Sequence, residues 1–276
     1  MNSIFTFVTK DMILAPGYPS SIQIPHALAA AYQFRTSFTP QEFSRVTFWH
    51  KIIGGYFCNG YGGTILRDAL LGRSISILSH ATILPHFIAY GVLLVNYSPH
   101  DIIFEALSTP LHPLRLLSIA GDAVDSTTTI LGSYELAVQL YPSLTMAPWV
   151  AGFSTMVGGS IFRWFELRTR EDACLSDIKT EWCHPTGGVQ SGVVYIILYY
   201  YMRRSYGVRF ARLWVTLLNV MIKIIKDVGP HLLNEDESWS KFHPAIWVYN
   251  QVTKLLTKVC TTFHLGPPPV EDEEFI

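Results

Sequence analysis

Two short patterns in this 276-residue chain carry residue types able to do chemical work. The first is Gly62-Gly63-Thr64-Ile65-Leu66-Arg67, matched 96 residues later by Gly158-Gly159-Ser160-Ile161-Phe162-Arg163, with Phe57 and Phe153 at the same offset. Paired glycines let a helix kink, or let another backbone or a permeating species come close. Arg67 and Arg163 follow Gly63 and Gly159 by four residues and share their helical face, and a charge among apolar residues needs a partner or water. The second pattern is Asp122-Ala123-Val124-Asp125, followed by the hydroxyl run Ser126-Thr127-Thr128-Thr129. Two carboxylates three residues apart lie on one helix face, where with hydroxyls they would attract a cation and partly replace its hydration shell. The alternatives are small-residue helix packing for the glycines, snorkelling at a helix end for the arginines, and helix capping for the acids.

Other chemistry leaves no trace. There is no H-E-x-x-H, no G-x-x-x-x-G-K-[ST] and no G-x-S-x-G, so no enzyme is expected. Cys58, Cys174, Cys183 and Cys260 form neither a disulfide framework nor a zinc pattern with the scattered His, and no metal or cofactor is expected. Twenty Lys+Arg against 21 Asp+Glu leave a net charge of −1, with no basic excess for nucleic acid.

The elements that must position these residues are hydrophobic. Residues are 49% hydrophobic and only 15% charged, against about 25% charged in an ordinary soluble domain. A bilayer core of about 30 Å takes roughly 17 to 25 apolar residues per helix. Stretches of that kind cover residues 48–71, 83–104, 111–131, 144–167, 186–202 and 210–225, and a weaker one lies at 22–35. Pro-containing segments at Tyr97-Ser98-Pro99-His100, Tyr141-Pro142-Ser143 and His184-Pro185-Thr186-Gly187 separate them, and Gly229-Pro230 closes the set. The expectation is a seven-helix membrane domain over residues 1–228, partnered by the lipid bilayer, and a tail over 229–276 with an amphipathic helix and an acidic end. Lys and Arg in the connecting segments favour a cytoplasmic C-terminus. Tyr199-Tyr200-Tyr201 and Trp214 are expected in an interfacial aromatic belt.

Self-similarity sets the topology. The two Gly-Gly motifs fall in the second and fifth helices, and Tyr90-Gly91-Val92-Leu93 resembles Ser191-Gly192-Val193-Val194 one helix later at an offset of 101. Three crossings separate the copies, so the second enters the membrane from the opposite face. The chain is expected to hold two inverted three-helix repeats, about 22–106 and 111–202, plus a seventh helix at about 209–226, with the functional path near their interface.

The stretch Gly62-Gly63-Thr64-Ile65-Leu66-Arg67-Asp68-Ala69-Leu70-Leu71-Gly72 resembles the second-helix motif of the trimeric intracellular cation (TRIC) channel family, and its Gly-Gly-x-x-x-Arg-Asp form is similar to the prokaryotic branch. Tyr97-Ser98-Pro99-His100-Asp101 resembles the turn after the third helix in the animal branch. The resemblance implies a homotrimeric all-α channel for K⁺ and other monovalent cations in endoplasmic reticulum or nuclear membranes, where counter-ion flow balances Ca²⁺ release. It also implies a pore lined by kinked second and fifth helices, which carry Gly62, Gly63, Gly158 and Gly159 here. The chain departs from the family at the fourth helix. Gly121, Asp125 and Thr128 stand where eukaryotic members have basic residues that hold a phosphoinositide, and a carboxylate repels a phosphate. Phosphoinositide is therefore not expected at that motif. Two other classes compete: a secondary transporter of a small solute, whose parallel repeats would lie four helices apart rather than three, and a non-conducting membrane relative.

Overall fold

The computed structural model describes residues 20–79, 83–169 and 187–233. Among these the chain is all helical. Helix α1 (Ser20–Thr36) is followed by the short α2 (Pro40–Arg45), which Thr39 starts through a reciprocal capping box with Glu42. The next stretch is broken: α3 (Phe48–Ile52) widens into a π-helical segment (Ile53–Gly60), and after Tyr61 the chain resumes as α4 (Gly62–Leu70). A short α5 (Ser76–Ser79) leads to α6 (Ile83–His86), a second π segment (Phe87–Leu93) and α7 (Leu94–Tyr97). A turn at Pro99–Asp101 and α8 (Ile102–Ser108) precede four long helices, α9 (Pro113–Leu140), α10 (Ala147–Thr169), α11 (Gly187–Tyr206) and α12 (Val208–Leu233). The seven stretches marked out in the sequence each coincide with helix among the described residues.

Three boundaries differ from the expectation. Helix α9 runs nine residues past 131 because Glu135, a charge that would end an apolar window, is met by the Arg203 guanidinium at 2.9 Å and the Tyr199 hydroxyl at 2.7 Å. Helix α12 continues through Gly229 and Pro230 to Leu233, so that dipeptide does not end it. The stretch 83–104 stops at Tyr97, where Ser98 turns extended and His100 and Asp101 take left-handed φ values of 53° and 55°. The tail from 234 lies outside the described residues.

No helix among the described residues is long and apolar enough to cross a membrane. The π segments divide the second and third stretches, and paired polar groups interrupt the fourth and seventh. Those polar groups meet each other inside the fold, the arrangement charge requires where water is scarce.

The core has two main clusters. Ala27, Ile52, Tyr56, Phe87 and Val92 gather the first half, and Leu131, Tyr134, Tyr195, Tyr199 and Val215 the second. Tyr199 is fully buried in that second cluster rather than standing in a surface belt, whereas Tyr201 and Trp214 are exposed. Asn219 hangs α12 on α9, donating to the Thr127 hydroxyl at 2.6 Å and the Ala123 carbonyl at 3.1 Å.

A two-toothed ion pair clamps each half. Arg35, at the end of α1, bonds both oxygens of Asp101 at 3.0 and 2.7 Å and the Val95 carbonyl at 2.7 Å. Arg203, near the end of α11, engages both oxygens of Glu135 at 2.9 and 3.2 Å. The Arg35 hydrogen bonds hold the Asp101 carboxyl below the usual carboxylate range. Because the folded-state value is lowered, this contribution is complete above the ordinary Asp range and fades as pH falls through the folded-state value. Asp101→Asn should therefore destabilise the detergent-solubilised protein near neutral pH and lower its thermal midpoint, with a stability loss of no more than about 1 kcal/mol because the Asp101 side chain is 47% exposed. The gap from the parent should close in acid.

Candidate functional site: a polar cavity at the helix crossing

Helices α4 and α10 cross at the duplicated glycines. A Cβ on Gly158 would lie 2.7 Å from Gly63 Cα and 2.8 Å from the Gly62 carbonyl, and one on Gly62 would lie 3.1 Å from the Gly158 carbonyl. On Gly63 it would strike the Thr155 carbonyl. The contacts are reciprocal: Gly62 meets Phe162, and Gly158 meets Leu66. At the same 96-residue offset His26 meets Asp122, and a Cβ on Gly121 would strike Pro25. Residues that face their own counterparts in this way lie about a two-fold axis.

Beside this crossing lies a cavity of about 340 Å³ whose wall includes Gly62, Gly63, Gly159, Thr129, Thr155 and the charged cluster on α1, α9 and α12. Asp122 and Asp125 sit in mid-helix in α9, not at a helix end, so the capping alternative does not hold. Asp122 is fully engaged: one oxygen is 2.9 Å from His26 Nδ1 and the other 2.7 Å from Lys223 Nζ. His26 Nε2 is 3.1 Å from the Gly60 carbonyl, at the end of the π segment, so both ring nitrogens face acceptors. Asp125 differs from its neighbour. It is buried, and its carboxylate stands 3.6 Å from His26 Nδ1, beyond hydrogen-bonding range. It therefore keeps coordinating capacity toward the cavity.

The arginines of the two motifs part company. Arg67 is buried and bonds Asp68 at 2.8 Å, Ser133 at 3.3 Å and Ser76 at 3.0 Å, fixing α4 to α9. Adjacent residues on a regular helix point apart; Arg67 and Asp68 meet because they sit in the last turn before Leu70, with Asp68 also accepting from the Ser76 backbone and hydroxyl. Arg163 is exposed. Neither arginine is in the cavity wall, and Gly158 serves the crossing rather than the cavity.

In the fourth-helix stretch, Gly121 packs on Pro25, Asp125 faces the cavity and Thr128 bonds back to the Val124 carbonyl. The cavity's ammonium groups come instead from Lys223 and Lys226 on α12. Two lysines three residues apart lie on one helix face, but at the end of an apolar stretch they read in the sequence as an ordinary boundary.

The family model for the TRIC channel matches residues 55–233, well over half of the chain. The chain belongs to the TRIC channel family. No curated protein sequence matches it. Among solved structures it is similar to a trimeric intracellular cation channel from C. elegans solved without Ca²⁺, at 21% identity and a TM-score of 0.65, covering 81% of this chain and 96% of that one. It is also similar to a TRIC counter-ion channel studied for its activity in calcium release, at 19% identity and a TM-score of 0.65, over 75% and 92% of the two chains. The C. elegans channel with bound Ca²⁺ gives 16% identity and a TM-score of 0.63, over 81% and 97%. At these identities the likeness is one of fold. As a TRIC-family chain this is a multi-pass intracellular membrane protein of a cation-channel family rather than an enzyme family.

Proposed function

We propose that this TRIC-family chain is a monovalent-cation channel, permeable to K⁺, that supplies counter-ion flux for Ca²⁺ release across endoplasmic reticulum or nuclear membranes. The observation that carries this is the polar cavity beside the Gly62–Gly158 crossing, where the Asp125 carboxylate and the Thr129 side chain meet small residues from both crossing helices. A carboxylate beyond hydrogen-bonding range of its nearest basic neighbour, set among hydroxyls, suits a partly dehydrated K⁺. The self-facing contacts at the 96-residue offset support two inverted three-helix repeats with α12 as the seventh span. The assembly is proposed to be a homotrimer with one pore in each protomer and a cytoplasmic C-terminus.

Planar bilayers containing the purified full-length protein test this. Unitary K⁺ currents whose reversal follows the K⁺ gradient are expected. Saturable solute uptake without unitary currents would point to a carrier, and silence in both assays to a non-conducting relative.

A further inference from the structure

We propose that the turn between α11 and α12 is a binding surface for an anionic phospholipid, whose phosphate meets Arg209 and Arg212 and whose apolar part lies along the rings of Tyr206, Phe210 and Trp214. Between Glu181 and Asp227 the chain has no Asp or Glu, yet Arg203, Arg204, Arg209 and Arg212 fall within ten residues. Arg203 is neutralised: it engages both oxygens of Glu135, and the Tyr199 hydroxyl donates to the same carboxylate. Arg204 donates to the Tyr200 hydroxyl at 3.1 Å, with its guanidinium 5.6 Å from the ring centroid.

Arg209 and Arg212 are left over. Three residues apart, they share a face of α12. Among the described residues neither is paired with a carboxylate; Arg209 is exposed, and the Nε of Arg212 is buried with no hydrogen-bond partner. Their position makes this charge costly. The first turn of α12 holds no acid, and Gly207 just before it, at φ 85°, has no side chain to accept from the first N–H groups. A helix N-terminus carries about half a positive charge, so it disfavours cations and favours anions. By the same rule Arg203 and Arg204 suit the end of α11, whereas Arg209 and Arg212 oppose the start of α12. A phosphate offsets both, since it pairs with guanidinium groups in two-toothed fashion and accepts from free N–H groups.

The aromatic rings identify the phosphate as a lipid's. Tyr206 at the end of α11 packs on Phe210, and Phe210 on Trp214 one turn later, with ring centroids 5.3 and 5.9 Å apart and all three side chains exposed. Charge at the turn and a row of exposed rings running from it along the helix make an interfacial anchor. A soluble anion has no use for the rings. The surface is also separate from the fourth-helix stretch. Asp122 and Ser126 of that stretch meet Lys223, which lies fourteen residues past Arg209, about 21 Å along α12.

Thermal unfolding of the purified full-length protein in an uncharged detergent, with lipid titrated in, provides the test. Phosphatidylserine should raise the midpoint by several degrees and saturate, and phosphatidylcholine should not. With Arg209→Gln and Arg212→Gln combined, the half-saturating phosphatidylserine concentration should rise about tenfold or more. If that double variant fails to fold, Arg209→Gln alone replaces it, because the Arg209 side chain is exposed and holds no carboxylate in the fold; a rise of about fivefold is then expected. Equal shifts with the two lipids, or a phosphatidylserine response unchanged in the variant that folds, overturns the proposal. Glycerophosphoserine, the soluble headgroup, is the third probe. No shift at the same concentration supports a lipid as the occupant, and a shift as large as the lipid's overturns it in favour of a free anion. None of these readouts involves conduction, so the proposal and the channel reading can fail separately.

Discussion

Asp125→Asn is expected to move the reversal potential in a KCl gradient toward the chloride value, with cation-over-anion permeability falling about tenfold or more. The sequence offers two acids, and the structure separates them. Asp122 has both oxygens committed, to His26 and to Lys223, so its charge is largely spent inside the protein. Asp125 is buried, 3.6 Å from the nearest His26 nitrogen, and faces the cavity. A unit charge roughly 7 Å from a permeating ion, at an effective dielectric of about 20, is worth about 2 kcal/mol, more than tenfold in occupancy. Lys223→Met, which removes a positive charge from the wall of the same cavity, should shift the reversal potential the other way. An unchanged reversal potential in Asp125→Asn would mean that ions do not pass this carboxylate.

Gly63→Ala should be among the most damaging glycine-to-alanine changes at the described residues. The added Cβ would land on the backbone carbonyl of Thr155, and backbone cannot rotate out of the way as a side chain can. Overpacking of this kind costs about 1–3 kcal/mol even where a core adjusts; here two helices would have to separate at their closest approach. Gly159→Ala is the internal control. The nearest atom to its Cβ, the Cys58 carbonyl oxygen, is 3.8 Å away, an ordinary contact. Fluorescence-detected size exclusion after heating should show Gly63→Ala aggregating well below the parent temperature and Gly159→Ala near it. Equal behaviour would show that the crossing is looser than the geometry indicates.

The duplicated motif was thus legible as a motif but not as a division of labour. Spacing alone made Gly63 and Gly159, or Arg67 and Arg163, equivalent. Only the crossing shows that Gly63 is pressed against α10 while Gly159 borders open space, and that Arg67 is a buried strut while Arg163 is exposed. The helical stretches could be read because apolar runs between Pro-containing turns are local properties. The end of α9 could not, because Glu135 is tolerated there only through Arg203 and Tyr199, more than sixty residues away. For the same reason Asp125 stood out in the sequence and Lys223 did not. The acids interrupt an apolar helix in its middle, whereas a lysine at the end of an apolar run looks like an ordinary boundary until the fold brings it to Asp122.

The two clamps bear on how the chain reaches its fold. Glu135 lies 100 residues after Arg35, and Arg203 lies 102 residues after Asp101, close to the spacing of the matched motifs, yet the signs are exchanged. In the first half the base comes early and the acid late; in the second half the order is reversed. A newly made chain, or two neighbouring chains, could try to pair α1 with the end of α11, or α9 with the turn after α7. The first mistake would set Arg35 against Arg203, and the second Glu135 against Asp101. Both wrong partners are like-charged, so halves similar enough to confuse one another carry a signal that rejects the exchange during assembly.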